Sequence, residues 1–182
     1  MKLELIRKRE FQPDKNVVHY GTTIQGNALA LAKAGKPVSR TSADRVLQKF
    51  LDRVKIVNQR SDLAYGVASV VVFGSYFTVR TTLNDLDIGV ELTKKGENEA
   101  TDEKLQEESM ARAFANGRRF GNLVEELFWP RREVLLILKN RSRTISFCEW
   151  ESPFRMPGLR YRVLLGNRER IAGLISDGER VD

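Results

Sequence analysis

The chain has few of the residues that cross-link or metallate small proteins. Of its 182 residues, one is cysteine, Cys148, and one is histidine, His19. A single thiol excludes an internal disulfide framework and a zinc site built on cysteines. The lone histidine sits in an irregular polar segment, where a catalytic role is not expected, and Cys148 between Phe147 and Glu149 reads as a small core residue. Long apolar runs are also lacking. The longest, such as Val67–Phe73 and Val134–Leu138, fall far short of the roughly 20 residues that cross a bilayer. The N-terminal MKLELIRKREF has basic residues but no hydrophobic region or cleavage site, so no signal peptide is expected. These absences lead to the expectation of a cytoplasmic protein with no membrane association.

What remains is ordinary globular composition, 41% hydrophobic and 30% charged. The length suits one domain with a real core, or one domain plus an extension. There is no internal repeat. Formal net charge is +7, which favours polyanionic partners such as RNA, DNA or nucleotides. Oligomeric state is not readable.

Residues 1–40 read as an N-terminal extension. Within it Ile24–Ala34 suits a helix or a strand, and Gly35-Lys36-Pro37 ends it. Residues 41–152 read as the core. Thr41 or Ser42 is the expected N-cap of a helix in which Val46, Leu47, Phe50, Leu51, Val54 and Val57 recur at helical spacing to about Asn58. Val67–Phe73 and Asp87–Leu92 read as strands, with a short helix starting at Ser75 between them. Lys94–Ala100 reads as a polar loop. A helix capped near Thr101 then runs to Asn116-Gly117, its acidic first turn suiting the helix dipole. A further helical stretch over about Asn122–Asn140 is kinked or split by Pro130 near Trp129. Arg143–Trp150 is a third expected strand and Leu159–Leu165 a fourth. Residues 153–182 form a basic C-terminal segment, with Arg155, Arg160, Arg162, Arg168 and Arg170, expected to pack on the core. The order of elements predicts an α+β fold: a small mixed sheet flanked by helices.

The most informative stretch is VVVFGSYFTVRTTLNDLDIGVEL, Val70 to Leu92. An apolar run ends at Gly74-Ser75, and Asp85-Leu86-Asp87 opens the next. Strand alternation puts Asp85 and Asp87 on one face and Leu86, Ile88 and Val90 on the other. Paired carboxylates on one face repel unless a cation lies between them, and a hard cation such as Mg²⁺ suits their oxygens. A Gly-Ser turn ahead of a helix supplies N–H groups suited to phosphate. The blander reading is a solvated strand start after an Asn-Asp turn, with Ser75 a plain N-cap.

Phe73-Gly74-Ser75, a spacer of about ten, and Asp85-Leu86-Asp87-Ile88, preceded by an amphipathic helix and a strand, resemble the nucleotidyltransferase fold of the DNA polymerase beta superfamily. The resemblance covers about Ser42–Trp150 and is specific only in combination. It implies transfer of a nucleoside monophosphate from an NTP to a hydroxyl on an RNA end, a protein or a small molecule. Asp85 and Asp87 would hold Mg²⁺ or Mn²⁺, and Gly74 and Ser75 would hold the terminal phosphates. The family usually adds a third carboxylate from a later strand; Glu149 is the candidate and Glu151 the second choice. Arg80 stands in for the arginine that many small members carry just after Gly-Ser. The alternative is a catalytically reduced relative that binds nucleotide or nucleic acid as an antitoxin or regulator. A different class, a helix-turn-helix DNA-binding module, rests on two helices joined by residues 35–40.

Overall fold

The structure, a computed structural model, describes residues 6–8, 20–23, 37–148, 150–155, 158–166 and 179–180. The chain divides into two units, Met1–Lys36 and Pro37–Asp182. In the first, β1 (Ile6–Lys8) pairs antiparallel with β2 (Tyr20–Thr22). The predicted element at Ile24–Ala34 lies outside the described residues, as does His19.

The second unit is a mixed α+β fold. Its strands are β3 (Val38–Ser39), β4 (Tyr65–Phe73), β5 (Thr82–Leu83), β6 (Leu86–Lys94), β7 (Ile145–Cys148), β8 (Arg160–Leu165) and β9 (Glu179–Arg180). Its helices are α1 (Arg40–Gln59), α2 (Glu99–Ala115), α3 (Leu123–Leu127) and α4 (Trp129–Lys139). The main sheet has the order β7-β6-β4-β8-β9. β4 is antiparallel to both its neighbours, while β7 runs parallel to β6 and β9 parallel to β8. β3 and β5 form a separate two-stranded sheet. The connector expected to be a turn between two DNA-binding helices is therefore partly a strand.

The helix expected from Thr41 or Ser42 begins earlier. Ser39 is the N-cap, its hydroxyl accepting from the Ser42 N–H at 3.2 Å. Ala43, Leu47, Phe50, Val54 and Val57 form the buried stripe of α1. That stripe packs with Val134 and Leu138 of α4 on one sheet face, against Val70, Val72, Leu86, Ile88 and Val90. The opposite sheet face carries Val71 and Phe73 with Tyr161 of β8, and Phe154 packs on them. β4 is thus buried on both faces, which explains why its apolar run is continuous rather than alternating.

Pro130 splits the predicted 122–140 helix, sitting in the first turn of α4 where its missing N–H costs nothing. α2 starts before the expected cap: Asn98 is the N-cap, and Thr101 is the third residue of a reciprocal capping box. Its buried residues are only Ser109 and Ala113. A polar network fixes it instead. Glu133 of α4 accepts from the Ser109 hydroxyl at 2.6 Å and from Arg112 Nε and Nη2 at 3.1 and 3.0 Å. The Trp129 indole N–H donates to the Ser109 carbonyl at 3.3 Å.

The end of α1 is tied to the sheet by two side chains. Lys95 Nζ donates to the carbonyls of Val57, Asn58 and Arg60, satisfying acceptors that the helix end leaves open. Burial lowers its pKa from the ordinary lysine value. Asn58 accepts from the Val67 N–H at 2.7 Å and donates to the Val67 carbonyl at 3.0 Å. The paired registers of β8 along β4 begin only at Val70, so Asn58 supplies the partner that Val67 would otherwise lack. Removing it leaves two buried backbone groups unpaired, each costing about 1–3 kcal/mol. Asn58→Ala is expected to lower the urea midpoint by the equivalent of about 2 kcal/mol with an unchanged denaturant slope. An unchanged midpoint would show that water replaces the side chain freely.

Candidate functional site

The antiparallel register of β4 on β6 sets Phe73 opposite Asp87, and β7 sets Ser146 on the other side of Asp87. Leu86, Ile88 and Val90 enter the helix-side core, as alternation requires, and Asp87 lies on the other face, half-buried. At the end of β4 the chain turns through Gly74, at φ +72°, into a short 3₁₀ segment, Gly74–Phe77. This left-handed conformation suits glycine. A side chain there would also be crowded: a Cβ on Gly74 would lie 3.1 Å from Asp87 Oδ2. The turn backbone and the Asp87 carboxylate are therefore immediate neighbours.

Ser75 is joined to the other aspartate. Its hydroxyl donates to the Asp85 carbonyl at 3.3 Å, so the residue before β6 is held to the turn that follows β4. The expected short helix is a single 3₁₀ turn, closed by Thr78, whose N–H and hydroxyl both donate to the Ser75 carbonyl. Asp85 and Asp87 thus each contact one residue of the Gly-Ser pair.

The segment after the turn is held by a residue that the sequence did not single out. The Arg40 guanidinium donates to the Tyr76 carbonyl at 2.7 Å, to the Thr78 carbonyl, and to the Arg80 carbonyl at 3.2 Å. The Arg40 N–H adds a bond to the Thr81 carbonyl at 3.1 Å. The planar guanidinium, with several donors in a fixed fork, spans these acceptors at once. Arg80 itself contributes its carbonyl, and its residue is exposed. The cations beside the turn come instead from β8. Arg160 donates to the Phe77 carbonyl at 3.2 Å, and the Arg162 guanidinium lies 5.6 Å from the centre of the Phe77 ring. Sequence reasoning placed both in a basic tail; only the pairing of β8 with β4 reveals their location.

Tyr76 is fixed by its hydroxyl, which donates to Asp44 Oδ1 at 2.6 Å. Burial, then the hydrogen bond and charge of Asp44, push its phenol up to about 12.

The third carboxylate is a different matter. Glu149 lies outside the described residues. β7 ends at Cys148, so Glu151 does not continue the strand; it follows Trp150 into a turn and lines a cavity of about 260 Å³ with Glu91 and Arg131. The Trp150 backbone instead covers the sheet beside Asp87. A Cβ on Gly89 would fall 2.7 Å from Trp150 Cα. Among the described residues, no three His, Cys, Asp or Glu side chains gather as a metal site. Asp85 and Asp87 remain two hard oxygen donors, of the type that Mg²⁺ or Mn²⁺ accepts. No helix among the described residues is long and apolar enough to cross a membrane.

Two outcomes follow from this geometry. Gly74→Ala places an L-residue in the left-handed region and presses on Asp87, at a cost of about 1 kcal/mol or more. Tm is expected to fall by about 2–4 °C per kcal/mol. In a double-mutant cycle with Asp87→Ala, the coupling is expected to exceed about 0.5 kcal/mol; strict additivity would refute the contact. Tyr76 has a folded pKa above the ordinary 10, so the stability from its protonated form is complete below pH 10 and lost as pH rises through about 12. Tyr76→Phe is expected to cost roughly 0.5–1 kcal/mol at pH 8, given solvent screening. The gap to wild type should close towards pH 12 in denaturation curves taken across that range.

No family model, no curated protein and no solved structure matches the chain.

Proposed function

We propose that the chain is a metal-dependent nucleotidyltransferase, moving a nucleoside monophosphate from an NTP to a hydroxyl acceptor. The observation that carries this reading is the Gly74–Asp87 contact: a glycine turn at φ +72° lies against a carboxylate on the neighbouring strand. Triphosphate chemistry calls for a phosphate cradle close to carboxylates that would hold a divalent cation.

In this reading Asp85 and Asp87 would hold Mg²⁺ or Mn²⁺, whose chemistry when bound would be to neutralise charge on the triphosphate. Gly74 and Ser75 receive the terminal phosphates through backbone N–H groups and the Ser75 hydroxyl. Arg160 and Arg162 place positive charge beside that turn. Arg40 binds no substrate here; its three carbonyl partners keep the turn in one conformation, so little ordering is left to do on binding. The acceptor hydroxyl would give its proton to a carboxylate of the site, its oxygen would bond to the α-phosphorus as the bond to the bridging oxygen breaks, and pyrophosphate would leave. Glu149 would complete the acidic set. The net charge of +7 suits an RNA end as acceptor, with a protein or a small molecule as the other candidates.

A second reading has a specific observation behind it. The β7 residue opposite Asp87 is Ser146, not an acid, and Trp150 covers the adjoining sheet surface. This favours a domain that binds nucleotide or nucleic acid without turnover, as an antitoxin or regulator.

The test is incubation of the full chain with each labelled NTP, Mg²⁺ or Mn²⁺, and RNA or protein acceptors. Labelled acceptor and released pyrophosphate are expected, and the Asp85→Asn plus Asp87→Asn variant should fall to background while keeping its circular dichroism spectrum and Tm. Transfer that survives the double substitution would overturn the metal assignment. Metal-dependent NTP binding with no pyrophosphate release would select the second reading. Absence of both binding and release would remove the two together.

A further inference from the structure

Five of the nine exposed large apolar residues described in the second unit lie on or beside α2 and α3. Phe114 on α2, Leu123, Val124 and Leu127 on α3, and Phe128 are each 55–67% exposed. Between α2 and α3 lies an open groove of about 490 Å³, lined by Met110, Phe114, Leu123, Leu127 and Pro130. A soluble surface rarely clusters such side chains without a partner. The contacts of α2 with the body of the fold explain why the groove exists. Ser109 and Arg112 turn inward to Glu133, which leaves Met110 and Phe114, one turn apart, on the outer side.

The lips of the groove are acidic. Glu107 and Glu126 line it, and neither joins a salt bridge among the described residues. α2 carries Glu99, Asp102, Glu103, Glu107 and Glu108 against Lys104 and Arg112, and α3 has two glutamates and no cation. The capping box and dipole explain Glu99 and Asp102 at the start of α2, and Glu125 is bound by the Gly121 N–H. They do not explain Glu107, and Glu126, although it stands in the first turn of α3, also lines the groove. A local acidic surface stands out on a chain of net charge +7. A second copy bound through the same face would set these glutamates against each other, because a two-fold interface repeats one patch on both sides.

We propose that the groove between α2 and α3 receives an amphipathic helix of a partner protein, its apolar stripe seated on Phe114, Leu123 and Leu127 and its Lys or Arg residues paired with Glu107 and Glu126. Helix-in-groove recognition reads apolar anchors at i, i+3 or i+4, and i+7. Opposite charge at the lips sets orientation and speeds encounter. This surface lies apart from the Gly74–Asp87 contact and does not depend on the chemistry proposed for it.

The probe is a displayed library of helix-forming peptides with randomised faces, selected on the immobilised full-length protein and counter-selected on Leu127→Glu. α3 is short and Leu127 is 67% exposed, so the substitution is expected to leave Tm within about 2 °C, which a melting curve verifies. Enriched peptides should carry an apolar stripe at helical spacing flanked by Lys or Arg. Synthesised and measured by fluorescence anisotropy, they should bind Leu127→Glu at least tenfold more weakly than wild type. Glu107→Gln plus Glu126→Gln should weaken them severalfold and flatten the salt dependence. Enrichment of acidic or extended peptides would overturn the proposal, as would selection indifferent to Leu127. So would sedimentation showing a wild-type dimer that Leu127→Glu dissociates, since the occupant would then be a second copy.

Discussion

The pairing of β4 with β6 is the constraint on which the second unit depends, and its force comes from burial on both sides. Val70 and Val72 meet α1 and α4, while Val71 and Phe73 meet Phe154 and Tyr161. A slip of one residue would exchange these two sets and drive Asp87 into the helix-side core. The register is therefore fixed by apolar packing, and the acidic pair inherits its position from it. The site needs no device of its own to choose which face Asp87 occupies. Its own interactions, from Ser75 to Asp85 and from Arg40 to three carbonyls, only set the turn once the strands are aligned.

The elements with long, regular burial patterns were legible in the sequence. α1, β4 and β6 carry periodic or continuous apolar runs, and their boundaries were placed within about two residues at nearly every end. The starts of α1 and α2 were placed too late because Ser39 and Asn98 compete with other capping residues nearby, and local spacing does not rank them. β3 and β5 have two residues each, too few to show any period. The site divides the same way. Gly74, Ser75, Asp85 and Asp87 are near in sequence and lie together in the fold, whereas Arg40, Arg160 and Arg162 reach the turn from 36 to 85 positions away. Nothing in a linear pattern marks such residues. Arg80 is close to the turn in sequence, yet what it contributes to the turn's bracing is a carbonyl.

α2 illustrates how a helix with a weak apolar stripe is held. Its inward side is polar, and the Ser109–Glu133–Arg112 network does what the apolar stripe does for α1. Such a network is directional, so it fixes the rotation of the helix about its own axis more strictly than packing would. That rotation is what presents Met110 and Phe114 outward.

Gly89 has a consequence for descent. A side chain there would strike the Trp150 backbone and Val71 together, just as one at Gly74 would meet Asp87. Each glycine is thus half of a lock, with its other half close in the chain for Gly74 and distant for Gly89. In any lineage that shares this architecture, the members of each pair are bound to drift together: a bulkier residue at 89 requires the 150 segment to lift from the sheet. Lifting it would uncover the ground beside Asp87, so the ancestry of that one glycine doubles as a record of when the surface was open.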